Sequence, residues 1–427
     1  MKSPFLYIKK FKKQIINLSI YMLAAMIPMI LSLLANPFIA KNLSPTDYAI
    51  VGYYTAFNTL FGPFVNFYLL HYYTKRFYEL NTDDRLKLKG TIFKSLIYFS
   101  LILAFIVFIL LYIYTVFFNK DSQIPFLPYA FLTVIYLPLT GIYTLNLTEY
   151  RMMRESKKFF NLSVVNGVLG IALAILFVVV FKWGADGRLW AMFLSAFIIF
   201  AYVLTKNKDL LKVKFDYDIF KTACKFCFPL VLAAMLTFFS SGYDKVILEK
   251  TGDITALGIY SVGAVIASYL HIFSTSINDT FQPDIFKSIA EKNMRKCFKY
   301  IIIKLSIMSF CVICFIILAP YLIDILTYGR YVNSTKYASI LAISTVTSML
   351  YYSMSQVTVA LGYTGITLWN KIIGSILSIV TFGILIPEFG ATGAAWGVVF
   401  SYVYFFIGNI VMVVIKKRMN SKVSNNK

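Results

Sequence analysis

Twelve long apolar runs, separated by short polar connections, constrain this sequence more than any other feature. A run of about 20 apolar residues is enough for an α-helix to cross a bilayer, and helices satisfy their own backbone groups in lipid. The pattern therefore predicts an all-α integral membrane fold with about twelve transmembrane helices. The runs lie at 15–40, 48–72, 91–118, 126–150, 160–181, 188–205, 222–248, 254–278, 298–320, 336–361, 366–387 and 392–415.

The composition agrees with a lipid-covered protein. Hydrophobic residues make up 59% of the 427 positions and charged residues 14%, whereas a soluble domain has about 25% charged residues. The net charge of +22 would suggest nucleic-acid binding in a soluble protein. Here the charges lie in short connections between apolar runs, so we expect no nucleic-acid partner.

The Lys and Arg residues predict the orientation of the helices, because they favour the cytoplasmic side of a membrane. If the N-terminus is inside and the helices alternate, 33 of the 41 Lys and Arg residues fall on the inner side and 8 on the outer side. We therefore expect both termini in the cytoplasm, with residues 416–427 as a basic cytoplasmic tail.

The chain matches itself at a shift of 206 residues. Gly184–Trp190 corresponds to Gly390–Trp396, and Asp47, Gly52 and Tyr54 correspond to Asp253, Gly258 and Tyr260. The repeat predicts two six-helix lobes, 1–206 and 207–415, which enter the membrane with the same orientation. Such lobes are related by a pseudo-two-fold axis along the membrane normal and enclose a central cavity, as in parallel-repeat transporters.

Polar residues recur on one face of several predicted spans. In the second span, for example, Thr55, Thr59 and Asn66 fall within about 60° of one another on a helical wheel. Polar groups in lipid are costly and turn toward protein or water, although Ser and Thr also serve helix–helix packing. The candidates for lining a cavity are Thr55, Thr59, Asn66, Thr140, Thr144, Thr237, Ser240, Ser241, Ser261, Ser268, Thr275, Asn278, Ser348 and Ser355.

Two titratable residues within predicted spans are candidates for ion coupling. Asp244 lies near the outer end of the seventh span, on the face of Thr237, Ser240 and Ser241. A carboxylate there can take up H+ or bind Na+, and the alternatives are a salt bridge with Lys245 or a position at the membrane interface. His271 lies on a polar stripe, where a hydrogen-bonded structural role is the alternative. Glu149 is expected to pair with a basic neighbour.

No catalytic constellation occurs in the sequence. There is no glycine-rich phosphate loop, no nucleophile elbow and no cluster of metal ligands, so we expect neither an enzyme nor a cofactor. Transport energy would come from an ion gradient, from the substrate gradient or from a separate partner.

Four segments of the sequence are similar to those of a known family, namely Ser240–Leu248, Leu257–Ser261, Phe281–Pro283 and Gly390–Trp396. They resemble the polysaccharide transporter family, the Wzx-type flippases of O-antigen and capsule repeat units in the multidrug/oligosaccharidyl-lipid/polysaccharide exporter superfamily. The resemblance implies alternating-access transport of an undecaprenyl-pyrophosphate-linked oligosaccharide from the inner to the outer leaflet of the bacterial inner membrane. It also implies a monomer that works beside polysaccharide polymerase and chain-length machinery.

A diphosphate headgroup needs cationic partners, and a strongly cationic cavity is typical of the family that this chain resembles. We find no Lys or Arg deep in any predicted span, so the cations are expected to act at the cavity entrance. The candidates for the headgroup are Lys75, Arg76, Arg151, Arg154 and Lys371.

Three other interpretations remain open from the sequence. A cation-coupled drug antiporter of the same superfamily would share the fold and differ in cavity chemistry. A major-facilitator transporter also has twelve helices, but the connection from Thr74 to Lys89 lacks its usual Gly-x-x-x-Asp-Arg pattern. A membrane-embedded polysaccharide polymerase would need a large outer loop, and the predicted outer loops are short.

Overall fold

The computed structural model of the chain describes residues 4–361 and 363–425, and every regular element in this part is helical. The side chains of 4–19 and 417–425 lie outside the description, as do those of a few single residues, among them Pro283 of the family-like segments. The α-helices are α1 Pro4–Asn42, α2 Pro45–Val65, α3 Leu69–Arg76, α4 Thr82–Lys94, α5 Ser100–Phe118, α6 Tyr129–Met152, α7 Ser156–Ala174, α8 Gly184–Lys206, α9 Tyr217–Met235, α10 Phe238–Ser241, α11 Tyr243–Glu249, α12 Ile254–Ala290, α13 Met294–Thr327, α14 Thr335–Ala360 and α15 Thr364–Asn425.

The helices coincide with the twelve apolar runs. Among the described residues, 8 helical stretches are long and apolar enough to cross a membrane. The last of them, Gly365–Lys416, contains two predicted spans, because Gly390 adopts φ 53° and ψ −134° and interrupts α15. The remaining runs are those of α1, α2 and α14. The all-α prediction is therefore confirmed for the described residues.

The contacts group the chain into two compact units. Unit 1 comprises Met1–Leu43 and Phe61–Leu232, and unit 2 comprises Ser44–Leu60 and Ala233–Lys427. These units differ from the predicted lobes in two segments, since residues 44–60 group with the C-terminal half and residues 207–232 group with the N-terminal half. The predicted lobe boundary at residue 206 stays a prediction.

Close helix packing explains why most of α2, residues 45–60, belongs to unit 2. A Cβ atom at Gly258 would overlap the carbonyl oxygen of Pro45 and lie 2.9 Å from its Cα atom. A Cβ atom at Gly52 would overlap the hydroxyl of Ser261 and lie 2.9 Å from its Cβ atom. The two repeat-related glycines therefore let α2 and α12 approach more closely than any side chain would allow.

Most of α9, residues 217–232, belongs to unit 1 because of its side-chain packing. Ala223 and Cys227 are fully buried in an apolar cluster with Leu69, Tyr72 and Phe77 of the α3 region. The Cys227 thiol also donates a hydrogen bond to the Tyr68 carbonyl oxygen at 3.2 Å. Side-chain packing and one polar contact thus fix this segment, and its cysteine acts as a small hydrophobic residue.

Glu149 forms the buried ion pair that its sequence position predicted. Its carboxylate lies 2.7 Å from the Lys89 ammonium, and the exposed fractions of the two side chains are 10% and 14%. We expect Glu149→Gln to lower the free energy of unfolding by about 3 kcal/mol, because it leaves a buried ammonium without its counter-charge. Thermal unfolding of the purified protein measures the loss.

Glu155→Gln is the matched control for this substitution. Glu155 pairs with Lys158 at 2.8 Å, but the exposed fractions there are 34% and 58%. Exposed pairs contribute about 0–1 kcal/mol. Equal melting temperatures for the two variants would contradict a structural role for the Lys89–Glu149 pair.

Candidate functional site

Unit 2 contains a cavity of about 270 Å³ that is lined by residues of α10, α11, α12, α14 and α15. We call it the Asp244 cavity. Both candidates for ion coupling, Asp244 and His271, lie on its wall. Three of the predicted lining residues lie there too, namely Ser241, Ser268 and Ser348.

Asp244 is the buried carboxylate of this cavity, with an exposed fraction of 4%. The hydroxyl of Tyr260 donates a hydrogen bond to its Oδ2 atom. Its Oδ1 atom makes no well-formed hydrogen bond to any described residue, although the backbone N–H groups of Asp244 and Lys245 lie near the carboxylate. Lys245 also lines the cavity but forms no ion pair with Asp244 within 4 Å. The free oxygen can accept a proton or bind a small cation.

A break in the seventh predicted span places Asp244 at this cavity. The span consists of α9, α10 and α11, with interruptions between Met235 and Phe238 and at Gly242. Lys371 binds at the first interruption, where its ammonium donates to the Ala233 carbonyl oxygen at 2.9 Å and to the Thr237 hydroxyl at 3.1 Å. Lys371, which was predicted to bind a headgroup, thus stabilises the interrupted helix by donating to a carbonyl oxygen near the break.

Unit 1 contains a larger cavity, of about 480 Å³, between α1, α6, α7 and α8. The predicted lining residues Thr140 and Thr144 lie on its wall, and so does Arg188 of α8. We call it the Arg188 cavity. In the sequence Arg188 is one of the 8 Lys and Arg residues on the predicted outer side. Its place in a cavity could not be predicted, because the cavity forms only where four helices come together.

The other cations proposed for a headgroup lie at adjoining helix ends of unit 1. Lys75 and Arg76 end α3, whereas Arg151 lies in the last turn of α6 and Arg154 follows it. The hydroxyl of Tyr78 donates to the Met152 carbonyl oxygen at 2.7 Å and joins the two ends. Arg76 pairs with Glu79, while Lys75 and Arg151 lie over the rings of Phe226 and Phe159.

The expectation that no span carries a deep Lys or Arg is wrong. Lys304 lies about 15 Å from the start of α13, and its side chain is fully buried. Its ammonium donates to Asn278 Oδ1 at 2.8 Å and to Gln356 Oε1 at 3.3 Å. Asn278, predicted to line a cavity, therefore binds this cation. The signal in the sequence was a Lys seven residues into an apolar run, where an ammonium requires acceptors from neighbouring helices.

The remaining predicted lining residues lie on the wall of neither cavity. Ser261 is buried against Gly52, and the Asn66 amide donates to the Leu137 carbonyl oxygen at 3.3 Å. Several hydroxyls donate to their own helices, which is common in membrane helices. The residues in this group are Thr55, Thr59, Asn66, Thr237, Ser240, Ser261, Thr275, Asn278 and Ser355.

Comparison with solved structures shows the fold. An inward-facing multidrug resistance transporter of the MATE family, in the MOP superfamily, superposes with a TM-score of 0.68 at 16% identity, covering 93% of this chain and 99% of the other. The lipid II flippase MurJ in an inward closed conformation gives a TM-score of 0.72 at 15% identity, with coverages of 92% and 87%. A mutant of the Vibrio cholerae MATE transporter VcmN gives 0.57 at 14%, with coverages of 96% and 97%. The chain is therefore a multi-pass membrane protein that shares the fold of these solved structures.

Comparison of sequences shows the family. No curated protein matches the chain. The family model described as "polysaccharide biosynthesis protein" matches residues 38–336, which is more than two thirds of the length. The chain therefore belongs to this family of polysaccharide biosynthesis proteins.

Proposed function

We propose that this protein is a flippase that moves an undecaprenyl-pyrophosphate-linked oligosaccharide from the inner to the outer leaflet of a bacterial inner membrane by alternating access. The observation that carries the proposal is the family match over residues 38–336 in a chain whose two units each contain a polar cavity. Polar cavities among membrane helices suit a hydrophilic glycan, which lipid excludes. The likeness to MurJ, itself a lipid II flippase, agrees with a lipid-linked substrate.

In this proposal the cations at the ends of α3 and α6 recruit the diphosphate headgroup. Lys75, Arg76, Arg151 and Arg154 lie at the predicted inner ends of their helices. Phosphate oxygens form strong charge-assisted hydrogen bonds with Arg and Lys. The headgroup would bind first at this rim, and the glycan would then enter the polar interior.

Asp244 is the residue that would couple this transport to an ion gradient. Its buried carboxylate has one oxygen without a well-formed hydrogen bond and lies in a cavity lined by hydroxyl groups, Lys245 and His271. Binding of H+ or Na+ there would neutralise a charge that is costly to bury. The neutral and the charged site would favour different helix arrangements. The ion would therefore bind one arrangement more tightly than the other, as ion coupling requires.

Deletion of the gene tests the proposed function. We expect the lipid-linked repeat units to accumulate on the inner leaflet and the surface polysaccharide to disappear. Accessibility of the glycan to an enzyme added outside spheroplasts measures the leaflet, and complementation by the intact gene is the control. Normal surface polysaccharide in a strain without a redundant gene contradicts the proposal.

A cation-coupled drug antiporter is the second candidate, because a MATE transporter described as a multidrug resistance protein shares the fold. The buried carboxylate of Asp244 would then bind cationic compounds or the coupling ion. This candidate predicts increased sensitivity to cationic drugs in the deletion strain, with unchanged surface polysaccharide.

A further inference from the structure

A groove of about 580 Å³ lies between the two limbs of α15, the stretches before and after its break at Gly390. We call it the α15 groove. Both of its walls are apolar, because each limb contributes hydrophobic residues that recur at helical spacing. These residues are Ile366, Trp369 and Ile373 before the break, and Met412 and Ile415 after it. The shape and the lining of the groove suit a hydrocarbon chain.

The α15 groove is open to the surroundings of the protein. Trp369, Ile373 and Ile415 are exposed. A Cβ atom at Gly365, which also lines the groove, would have no heavy atom within 4 Å. Because no described residue fills this space and the protein spans a membrane, lipid is the available occupant.

Lys416 is the charged residue of the α15 groove. It lies four residues after Met412 on the same face of the helix. Its side chain is exposed, and within the described part of the chain no carboxylate lies within 4 Å of it. The ammonium is therefore available to an anion that enters the groove.

The end of α15 that carries Lys416 is basic and is the predicted cytoplasmic end. Residues 416–427 contain five Lys and Arg residues and no Asp or Glu, whereas residues 372–415 contain Glu388 and no Lys or Arg. Clusters of this kind directly beyond a transmembrane helix bind anionic lipids, and so do basic pockets between helices on the cytoplasmic side. Tyr363 and Trp369 lie at the same end of the groove, as is usual for aromatic residues near a membrane–water interface.

The headgroup decides which lipid the groove selects. A chain that moves from the bilayer into the groove leaves one apolar environment for another, so it gains little hydrophobic free energy. A phosphate group gains a charge-assisted hydrogen bond from the Lys416 ammonium. In a zwitterionic lipid the cation of the headgroup offsets this gain, so an anionic lipid binds more tightly.

We propose that the α15 groove is a binding site for an anionic phospholipid of the inner leaflet, with an acyl chain between the limbs of α15 and the phosphate on the Lys416 ammonium. The residues of this site line neither the Arg188 cavity nor the Asp244 cavity. The proposal does not rest on the proposed function, because lipid binding requires no transport.

Quenching of Trp369 fluorescence by brominated lipids measures which lipid occupies the groove. The chain has four Trp residues, and a variant that retains only Trp369, with Phe at the other three positions, is reconstituted in phosphatidylcholine vesicles. Brominated phosphatidylglycerol and brominated phosphatidylcholine are compared as quenchers. We expect phosphatidylglycerol to bind beside Trp369 about fivefold more tightly, which is the effect of one cation near an anionic headgroup.

Trp396 is the matched control for Trp369. It lies on the second limb of α15, 20 residues before Lys416, which is about 30 Å along a helix. A variant that retains only Trp396 should bind the two brominated lipids equally. The same preference at Trp369 and Trp396 overturns the proposal, because it indicates a general attraction of anionic lipids to the protein.

Lys416→Gln should remove the preference for phosphatidylglycerol at Trp369. Lys422→Gln removes the same charge from the basic tail and should leave most of the preference, because Lys422 is six residues beyond the groove in the sequence. A preference that survives Lys416→Gln, or an equal loss in the two variants, contradicts the proposal.

Gly365→Leu tests the groove without a change of charge. The new side chain enters the open space beside Gly365, so quenching of Trp369 by phosphatidylglycerol should fall. Gly383→Leu is the matched control, because a Cβ atom at Gly383 also has nothing within 4 Å but this residue does not line the groove. Equal quenching in the two leucine variants is a result that the proposal does not allow.

Other occupants of the groove would give different results. If undecaprenyl pyrophosphate relieves the quenching more effectively than unlabelled phosphatidylglycerol, the groove belongs to the polyprenyl lipid and the proposal is overturned. If neither brominated lipid quenches Trp369, protein covers the groove, whether a second copy of the chain or another partner, and the proposal is overturned as well.

Discussion

Asp244→Asn should abolish the stimulation of transport by an H+ or Na+ gradient, so that the rate with a gradient falls to the rate without one. The Asp244 carboxylate accepts a hydrogen bond from Tyr260 through Oδ2, while Oδ1 makes no well-formed hydrogen bond to a described residue. Asn keeps the shape and can still accept from Tyr260, but it cannot be protonated or balance a bound cation. Flipping of a lipid-linked oligosaccharide in proteoliposomes, with and without each gradient, measures the effect.

Asp209→Asn is the matched control for Asp244→Asn. Asp209 pairs with Lys212 at 3.0 Å, and the exposed fractions of these side chains are 78% and 80%. The same chemical change at an exposed position should leave gradient stimulation intact. Retained stimulation in Asp244→Asn, together with a melting temperature like that of the parent, would remove Asp244 from the coupling mechanism.

Helix positions could be predicted from the sequence because lipid imposes one simple rule on the backbone. Every span must satisfy its own hydrogen bonds, so apolar length alone locates the helices. The division of α15 into two spans could be predicted for the same reason, since Gly390 lies between two apolar runs. Glu149 could be assigned a basic partner for a related reason, because a carboxylate within a span requires one.

Partners that are distant in sequence could not be predicted. Lys304 meets acceptors 26 and 52 residues away, and nothing in a single helix indicates which neighbours will supply them. A polar stripe likewise gives the face of a helix but not the surface that it meets. Ser261 and Ser268 lie on one stripe, yet Ser268 lines a cavity and Ser261 packs against Gly52. The Arg188 cavity could not be predicted either, because its wall comes from four helices that are distant in sequence.

The crossing of α2 and α12 provides the second large effect. Gly258→Ala should destabilise the protein by about 1–3 kcal/mol, because the new Cβ atom overlaps the Pro45 carbonyl oxygen and crowded packing costs energy of this size. The loss should be nearly as large as in Gly258→Val, since the overlap already occurs at the Cβ atom. Thermal unfolding of the purified protein measures both variants.

Gly383→Ala is the matched control for Gly258→Ala. Gly383 is also a helical glycine, but a Cβ atom there has nothing within 4 Å. Because Ala is the better helix former by about 1 kcal/mol, this variant should be as stable as the parent or more stable. The two alanine variants are thus expected to shift the melting temperature in opposite directions.

Second-site changes distinguish overlap with backbone from overlap with a side chain. In Gly52→Ala the new Cβ atom meets the side chain of Ser261, so Ser261→Gly should restore much of the stability by vacating the same space. In Gly258→Ala the obstacle is the backbone of Pro45, which no substitution at position 45 can trim, so Pro45→Ala should not restore it. Rescue of Gly258→Ala by Pro45→Ala, or failure of Ser261→Gly to rescue Gly52→Ala, would contradict this description of the α2–α12 crossing. The geometry therefore requires that the stability effects of substitutions at positions 52 and 261 are coupled. It also requires that those at positions 45 and 258 are not.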